Sequence, residues 1–188
     1  MKYIEGERFE NEDYTLIHFD QGEYDDCHFV NCKFTAVDLS GSSFSECRFE
    51  NCDFSLAKIV NTAFKDVSFD TCKLQGVHFE DCNPFLLEFE FVNCILSFSS
   101  FYQLKLKDTI FAHCKIQEVG FAETNLQKSK FMDCDLLNTR FENCNLENVD
   151  FSTSVNLILD PELNIVKGAV FARSQLSGLL SKYRIRIV

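Results

Sequence analysis

The chain has no apolar run of the roughly eighteen residues that a membrane-spanning helix needs, and no secretory signal opens it, so the cytoplasm is its expected place. It also lacks a Gly-rich phosphate loop, a GxSxG elbow and an HExxH pair. Without those constellations the expectation is a protein that is not an enzyme and needs no cofactor. There is no CxxC either, and the four His (His18, His28, His78 and His113) fall at outward positions of the pattern described below, which disfavours a metal site. Positive charge is scarce: 18 Lys and Arg stand against 29 Asp and Glu, a formal charge of −11. Direct nucleic-acid binding is disfavoured, because phosphate contacts need a basic footprint. The deficit is uneven, with sixteen acidic against seven basic residues in 1–80 and thirteen against eleven in 81–188. Such a surface suits a basic groove on another macromolecule.

What the chain does have is a period of five. Cys27 to Phe54 reads CHFVN CKFTA VDLSG SSFSE CRFEN CDF, with a large apolar residue at every fifth position and a small or thiol residue two before it. Strands repeat every 2 residues and helices every 3.6, so this period calls for a repeat architecture. A first run has fifteen centres from Phe9 to Phe79, and a second has thirteen from Phe91 to Phe151, two residues out of step. All ten Cys lie two before a centre or, for Cys82, before the place where one is due. Residues two apart on an extended segment face the same way, so both positions point inward and the other three face water. The thiols then act as small reduced core residues, with Cys32, Cys52 and Cys72 in one column and Cys94, Cys114 and Cys134 in another.

This pattern resembles the pentapeptide-repeat proteins over residues 7 to 153. The resemblance implies an all-β fold, a right-handed quadrilateral β-helix in which each five residues make one side of a square. Twenty-eight units give about seven coils and, at ~4.8 Å per coil, a rod roughly 34 Å long. A twenty-residue coil predicts columns: Phe91, Phe111, Phe131 and Phe151 on one side, Phe101, Phe121 and Phe141 opposite, and aliphatic columns between them. Residues 1–8 are expected to cap the first coil. Around Tyr24, Phe44 and Phe64 lie Glu23, Asp25, Asp26, Glu46 and Asp66, which form either a solvated face or a surface that imitates DNA phosphates.

The segment 80–90, EDCNPFLLEFE, breaks the phase, and Pro84 cannot donate to a ladder. A loop or bulge is expected, in which Phe85, Leu86 and Leu87 either fold back onto neighbouring coils near Ile95 and Phe98, the favoured reading, or form a partner contact, for which Pro84, Phe85, Leu86, Leu87 and Glu88 are the candidates. From 154 to 188 a capping and dimerisation segment is expected. Ser174 would cap a helix to about Tyr183 with Leu176, Leu179, Leu180 and Tyr183 on one face, followed by a strand through Ile185, Ile187 and Val188. Length, CKLQGV at 72–77, the interruption with Pro84, FVNC at 91–94, LDPELN at 159–164 and GAVFARSQLSGLLSKYRIRIV from Gly168 are similar to the topoisomerase-directed branch of the family, which holds microcin-immunity, albicidin-resistance and quinolone-resistance members. The resemblance implies a homodimer that binds DNA gyrase or topoisomerase IV and relieves its poisoning. The alternative is a repeat scaffold or binding module for an unrelated protein partner.

Overall fold

A computed structural model describes residues 2–186. The chain winds as a parallel β-solenoid of about seven turns with one short helix at its C-terminal end. Two sides of the square carry regular strands. The first side is a four-stranded sheet of β1 (Lys2–Glu5), β3 (Gly22–Asp25), β5 (Ser43–Ser45) and β7 (Ala63–Lys65). The second is a seven-stranded sheet of β2 (Arg8–Glu10), β4 (His28–Val30), β6 (Arg48–Glu50), β8 (Val67–Asp70), β9 (Phe89–Val92), β10 (Ile110–Ala112) and β11 (Lys130–Met132). The third and fourth sides are joined coil to coil by single bridges such as Asp53↔Lys73 and Ser100↔Gly120.

Each five residues fold this way for three local reasons. The centre points into a narrow interior, where Phe29, Phe34, Phe44, Leu96 and Phe121 are wholly buried. The residue two after it turns the corner with left-handed backbone, often an Asn or Asp such as Asn31 (φ 55°), Asn51 (φ 51°) or Asp66 (φ 53°), which tolerate that region best after Gly. The residue before the centre is frequently an Asp or Asn whose Oδ1 accepts the amide two residues on, as Asp38 does from Ser40 (3.0 Å) and Asp53 from Ser55 (2.9 Å).

The inward small residues are also donors. Many reach one coil back to a main-chain carbonyl, as Cys72 Sγ to Phe49 O, Thr124 Oγ1 to Phe101 O and Ser154 Oγ to Phe131 O do (3.2, 2.8 and 2.7 Å), whereas the Ser42 and Ser99 hydroxyls find no partner among the described residues. Cysteine, threonine and serine can therefore all serve there, being small and able to donate. All ten thiols are buried and unbridged. Burial pushes Cys47 and Cys82 up to about 12 and Cys144 up to about 11, so they stay protonated at neutral pH. Cys94 Sγ donates to Phe69 O, one coil above the bond from Cys72, so the six thiols Cys32 to Cys134 form one continuous column, not two. The twenty-residue arithmetic separated them because the interruption adds two residues to that coil.

The interruption is confined to one corner. Asn83 still pairs above Ala63, whereas Phe89 pairs above Val67, so the extra residues lie between them, where the first side turns into the second. Above that corner the second, third and fourth sides stay in register, with Phe69 stacked on Phe91 (5.4 Å) and Phe79 on Phe101 (4.4 Å). The first side loses its centre at this level. Phe89, at a position elsewhere held by a thiol, turns its ring inward beside Phe64, Phe79 and Phe91 (5.3–5.4 Å) and fills the gap. The expected fold-back holds only for Leu87, which packs on the core. Phe85 and Leu86 are 67% and 64% exposed, because the inward space that they would fill is taken by Phe89.

Both ends differ from expectation. Residues 2–5 do not cap the first coil but belong to it, paired in register with Gly22–Asp25. At the other end the ladder continues beyond 153: Asn145 bridges Ile165, Asp150 bridges Val170, and Phe171 stacks on Phe151 at 5.6 Å. The C-terminal helix is broken into α1 (Leu176–Leu179) between 3₁₀ turns at Arg173–Gln175 and Ser181–Tyr183. No side-chain cap from Ser174 starts it; the Gln175 side chain accepts the Ala172 amide instead (2.8 Å). Residues 184–186 form no strand, and Ile187 and Val188 lie outside the described residues. No helix of the described residues is long and apolar enough to cross a membrane.

Candidate functional site

Asp26, Glu46 and Asp66 occupy the same corner of three successive coils, all exposed and all with left-handed backbone. That corner projects them along one edge of the second side. They line a shallow open groove together with Glu50, Asp70 and Glu90 from the strands of that side. Arg48 and His28 are the basic and titratable exceptions in it, and His28 Nε2 sits 3.3 Å from Glu50. Like charges at ladder spacing repel unless water or a partner offsets them, so six carboxylates here favour a cationic occupant.

The structure does not bring Glu23 and Asp25 into this groove. Both lie in β3 on the first side, round the corner. Asp25 is half-buried and engaged: the Tyr3 hydroxyl donates to it (3.1 Å) and to Glu5 (3.2 Å), which pushes Tyr3 up to about 12. Sequence reasoning missed Glu50, Asp70 and Glu90 because it followed one corner and not the strand that starts there. Counting by twenty from Glu50 would have found Asp70. It would have misplaced Glu90, which sits above Ser68 because of the two added residues.

The interruption meets the same site. Glu88 O accepts the Val67 amide directly above Asp66, so Phe85 and Leu86 bulge out at the head of the acidic column. The bulge is held at both ends: the Asn83 side chain accepts the Phe85 amide (2.9 Å), and Leu87 and Phe89 are anchored in the core. Leu86 has φ 56°, an unfavourable backbone for a bulky residue, and it is exposed as well. The same corner geometry is held by two other exposed large apolar residues, Leu56 (φ 58°) and Phe98 (φ 65°). Pro84 and Glu88 are exposed beside the bulge.

At the C-terminal end Leu176, Tyr183 and Ile185 are exposed, whereas Leu179 packs on the core and Leu180 is half-buried. Ile187 is outside the described residues. Around them Val155, Ile158, Leu163, Ile165 and Val170 are each about half exposed, from 49% to 56%. Ile165, Val170 and Val155 lie on three different sides of the last coil, and of the five Val155 and Ile158 sit beside the tail residues Ser174, Ser177 and Gly178. Among the described residues no three His, Cys, Asp or Glu side chains converge as a metal centre would.

A square solenoid of stacked five-residue sides, with thiols and rings inside and carboxylates along one flank, defines a β-solenoid repeat protein. The chain belongs to the pentapeptide-repeat family: the profile described as "Pentapeptide repeat region" matches residues 23–92 and 85–156. Among solved structures it is similar to a trypsin-treated QnrB1, described as a plasmid-mediated fluoroquinolone resistance protein, at 20% identity and TM-score 0.67, covering 100% of this chain and 92% of that one. Full-length QnrB1 matches at 19% identity and TM-score 0.54, covering 98% and 100%. At such identity the likeness is one of fold. No curated protein matches the sequence.

Proposed function

We propose that this protein binds a type II topoisomerase, DNA gyrase or topoisomerase IV, as an acidic DNA-like rod and protects it from a toxin or antibiotic. In this reading it works in the cytoplasm as a homodimer joined through its C-terminal segment, with no catalytic step of its own. The observation that carries the reading is linear charge density. Residues 1–80 hold a net −9. Over four coils at ~4.8 Å that is one negative charge per about 2 Å, against ~1.7 Å along duplex DNA. A basic saddle that holds DNA would accept such a surface through electrostatics alone. The fold likeness to a fluoroquinolone resistance protein supports the choice of partner. Asp26, Glu46 and Asp66 supply the steering charge, and Phe85 and Leu86 the apolar anchor beside it.

The test is a gyrase supercoiling assay with and without a poison that traps the cleaved complex. Recovery of supercoiling in the poisoned reaction on adding micromolar protein is expected. No effect on either reaction would reject the proposal.

A further inference from the structure

Past Phe151 the solenoid has to stop, and the way in which it stops concerns three residues that need not touch any partner. The inward donor column on the third side runs Cys114 to Phe91 O, Cys134 to Phe111 O, Ser154 to Phe131 O. The next donor, for the carbonyl of Phe151, is not a small residue in the wall but Gln175, reaching in from the tail. Its Nε2 donates to Phe151 O (2.8 Å) and Ser154 O (2.7 Å), and its Oε1 accepts the Ala172 amide (2.8 Å). Gln175 is 6% exposed, so a buried amide has its polar atoms matched and closes the column. Gly178 makes the second contact. A Cβ there would stand 1.9 Å from Leu157 O, so the tail lies on the last coil at a distance only glycine allows. Lys182 makes the third, to Asp160 (2.7 Å) and Glu162 (2.5 Å), with the Tyr183 hydroxyl donating to Glu162 (2.7 Å).

We infer that Gln175, Gly178 and Lys182 form a latch that seats α1 on the final coil and so fixes, in the single chain, the pose of the apolar surface around Leu176, Tyr183 and Ile158. The latch points inward or sideways, while Leu176 is exposed and makes none of its contacts. Ordering the tail beforehand removes that entropic cost from association, which is how preorganisation strengthens a contact made by other residues. The link to dimerisation rests on the proposed homodimer; the seating of the tail does not.

The experiment compares the full chain with Gln175→Ala, Gly178→Ala and, as an outward control, Leu176→Asp. Two things are measured: the rate of tryptic cleavage at Arg173, Lys182 and Arg184, and the dimer dissociation constant by sedimentation equilibrium. Gln175→Ala and Gly178→Ala are expected to speed tail cleavage at least tenfold and weaken the dimer at least tenfold, with the thermal midpoint of the solenoid unchanged. Leu176→Asp should weaken the dimer and leave cleavage slow. Tail cleavage at the native rate in both Gln175→Ala and Gly178→Ala overturns the latch. A native chain that is monomeric at every concentration overturns the homodimer instead, and the cleavage rates then decide the latch by themselves.

Discussion

The coils before the interruption and those after it share one architecture and differ in what they show to water. Before it, three sides carry ring columns, as in Tyr24–Phe44–Phe64 and Phe29–Phe49–Phe69, with Leu39 and Ile59 on the fourth. After it only two do: Phe91, Phe111 and Phe131 stack with planes 7–8° apart, and Phe101, Phe121 and Phe141 with planes 3–4° apart. The two stacks meet edge to face, as in Phe121–Phe131 at 6.0 Å and 89°. Both arrangements fill the same square, so the interior tolerates exchange of rings for aliphatics so long as volume is kept. The exterior does not show the same indifference. Acidic excess, the groove and the exposed bulge all belong to the first half or its boundary, whereas the apolar end surface belongs to the second.

Interior substitutions should therefore act alike in both halves, and this is the largest effect expected. Phe49→Asp and Phe121→Asp each bury a carboxylate among rings and should cost more than about 4 kcal/mol, enough to abolish the thermal transition seen by circular dichroism. A half that tolerated the change would show that its rings are not core. The bulge sharpens the contrast. Phe85→Asp with Leu86→Asp should leave the melting midpoint within the range of ordinary surface changes, roughly ±0.5 kcal/mol, yet weaken topoisomerase binding at least tenfold in a titration. Smaller still is Cys114→Ser, for which a cost of about 1 kcal/mol is expected, because a hydroxyl can take over the bond to Phe91 O as Ser154 does for Phe131. Cys52→Ser in the other half should match it in chemical denaturation.

Acid should produce the least effect. Hydrogen bonds from the Ser40 and Ser152 side chains and amides hold the Asp38 and Asp150 carboxyls below the usual carboxylate range. A folded pKa below the unfolded one means that the stabilisation is present at neutral pH and is lost as pH falls from about 4 through the lower folded values. Both groups are close to solvent, so the loss is small. Asp38→Asn with Asp150→Asn should flatten the midpoint between pH 5 and pH 3, measured by thermal melts, while keeping the turns.

Most of the wall was legible because its signal is a period with strict inward positions. Phe91 on Phe111 and Phe101 on Phe121 stand where a count of twenty places them. What escaped was whatever depended on the count failing. The single thiol column, the place of Glu90 above Ser68, and the inward ring of Phe89 all follow from two residues added at one corner, and a linear pattern does not say at which corner an insertion bulges. Phe171 stacked on Phe151 escaped because the intervening positions, Asn156 and Pro161, hide the register. Gln175 carried no periodic signal at all, since its role depends on reaching across space to Phe151.

If charge on the first half is what a topoisomerase grips, binding must weaken steeply as salt rises. Dissociation constants for purified gyrase would be measured from about 50 to 200 mM salt, a range that resolves phosphate-like contacts, for the native chain and two triple variants. One variant is Asp26→Lys, Glu46→Lys, Asp66→Lys, and the other is Glu118→Lys, Glu123→Lys, Glu142→Lys beyond the interruption. A steep salt slope for the native chain, lost in the first variant and kept in the second, is the predicted result. Equal slopes and affinities for all three proteins would contradict the account.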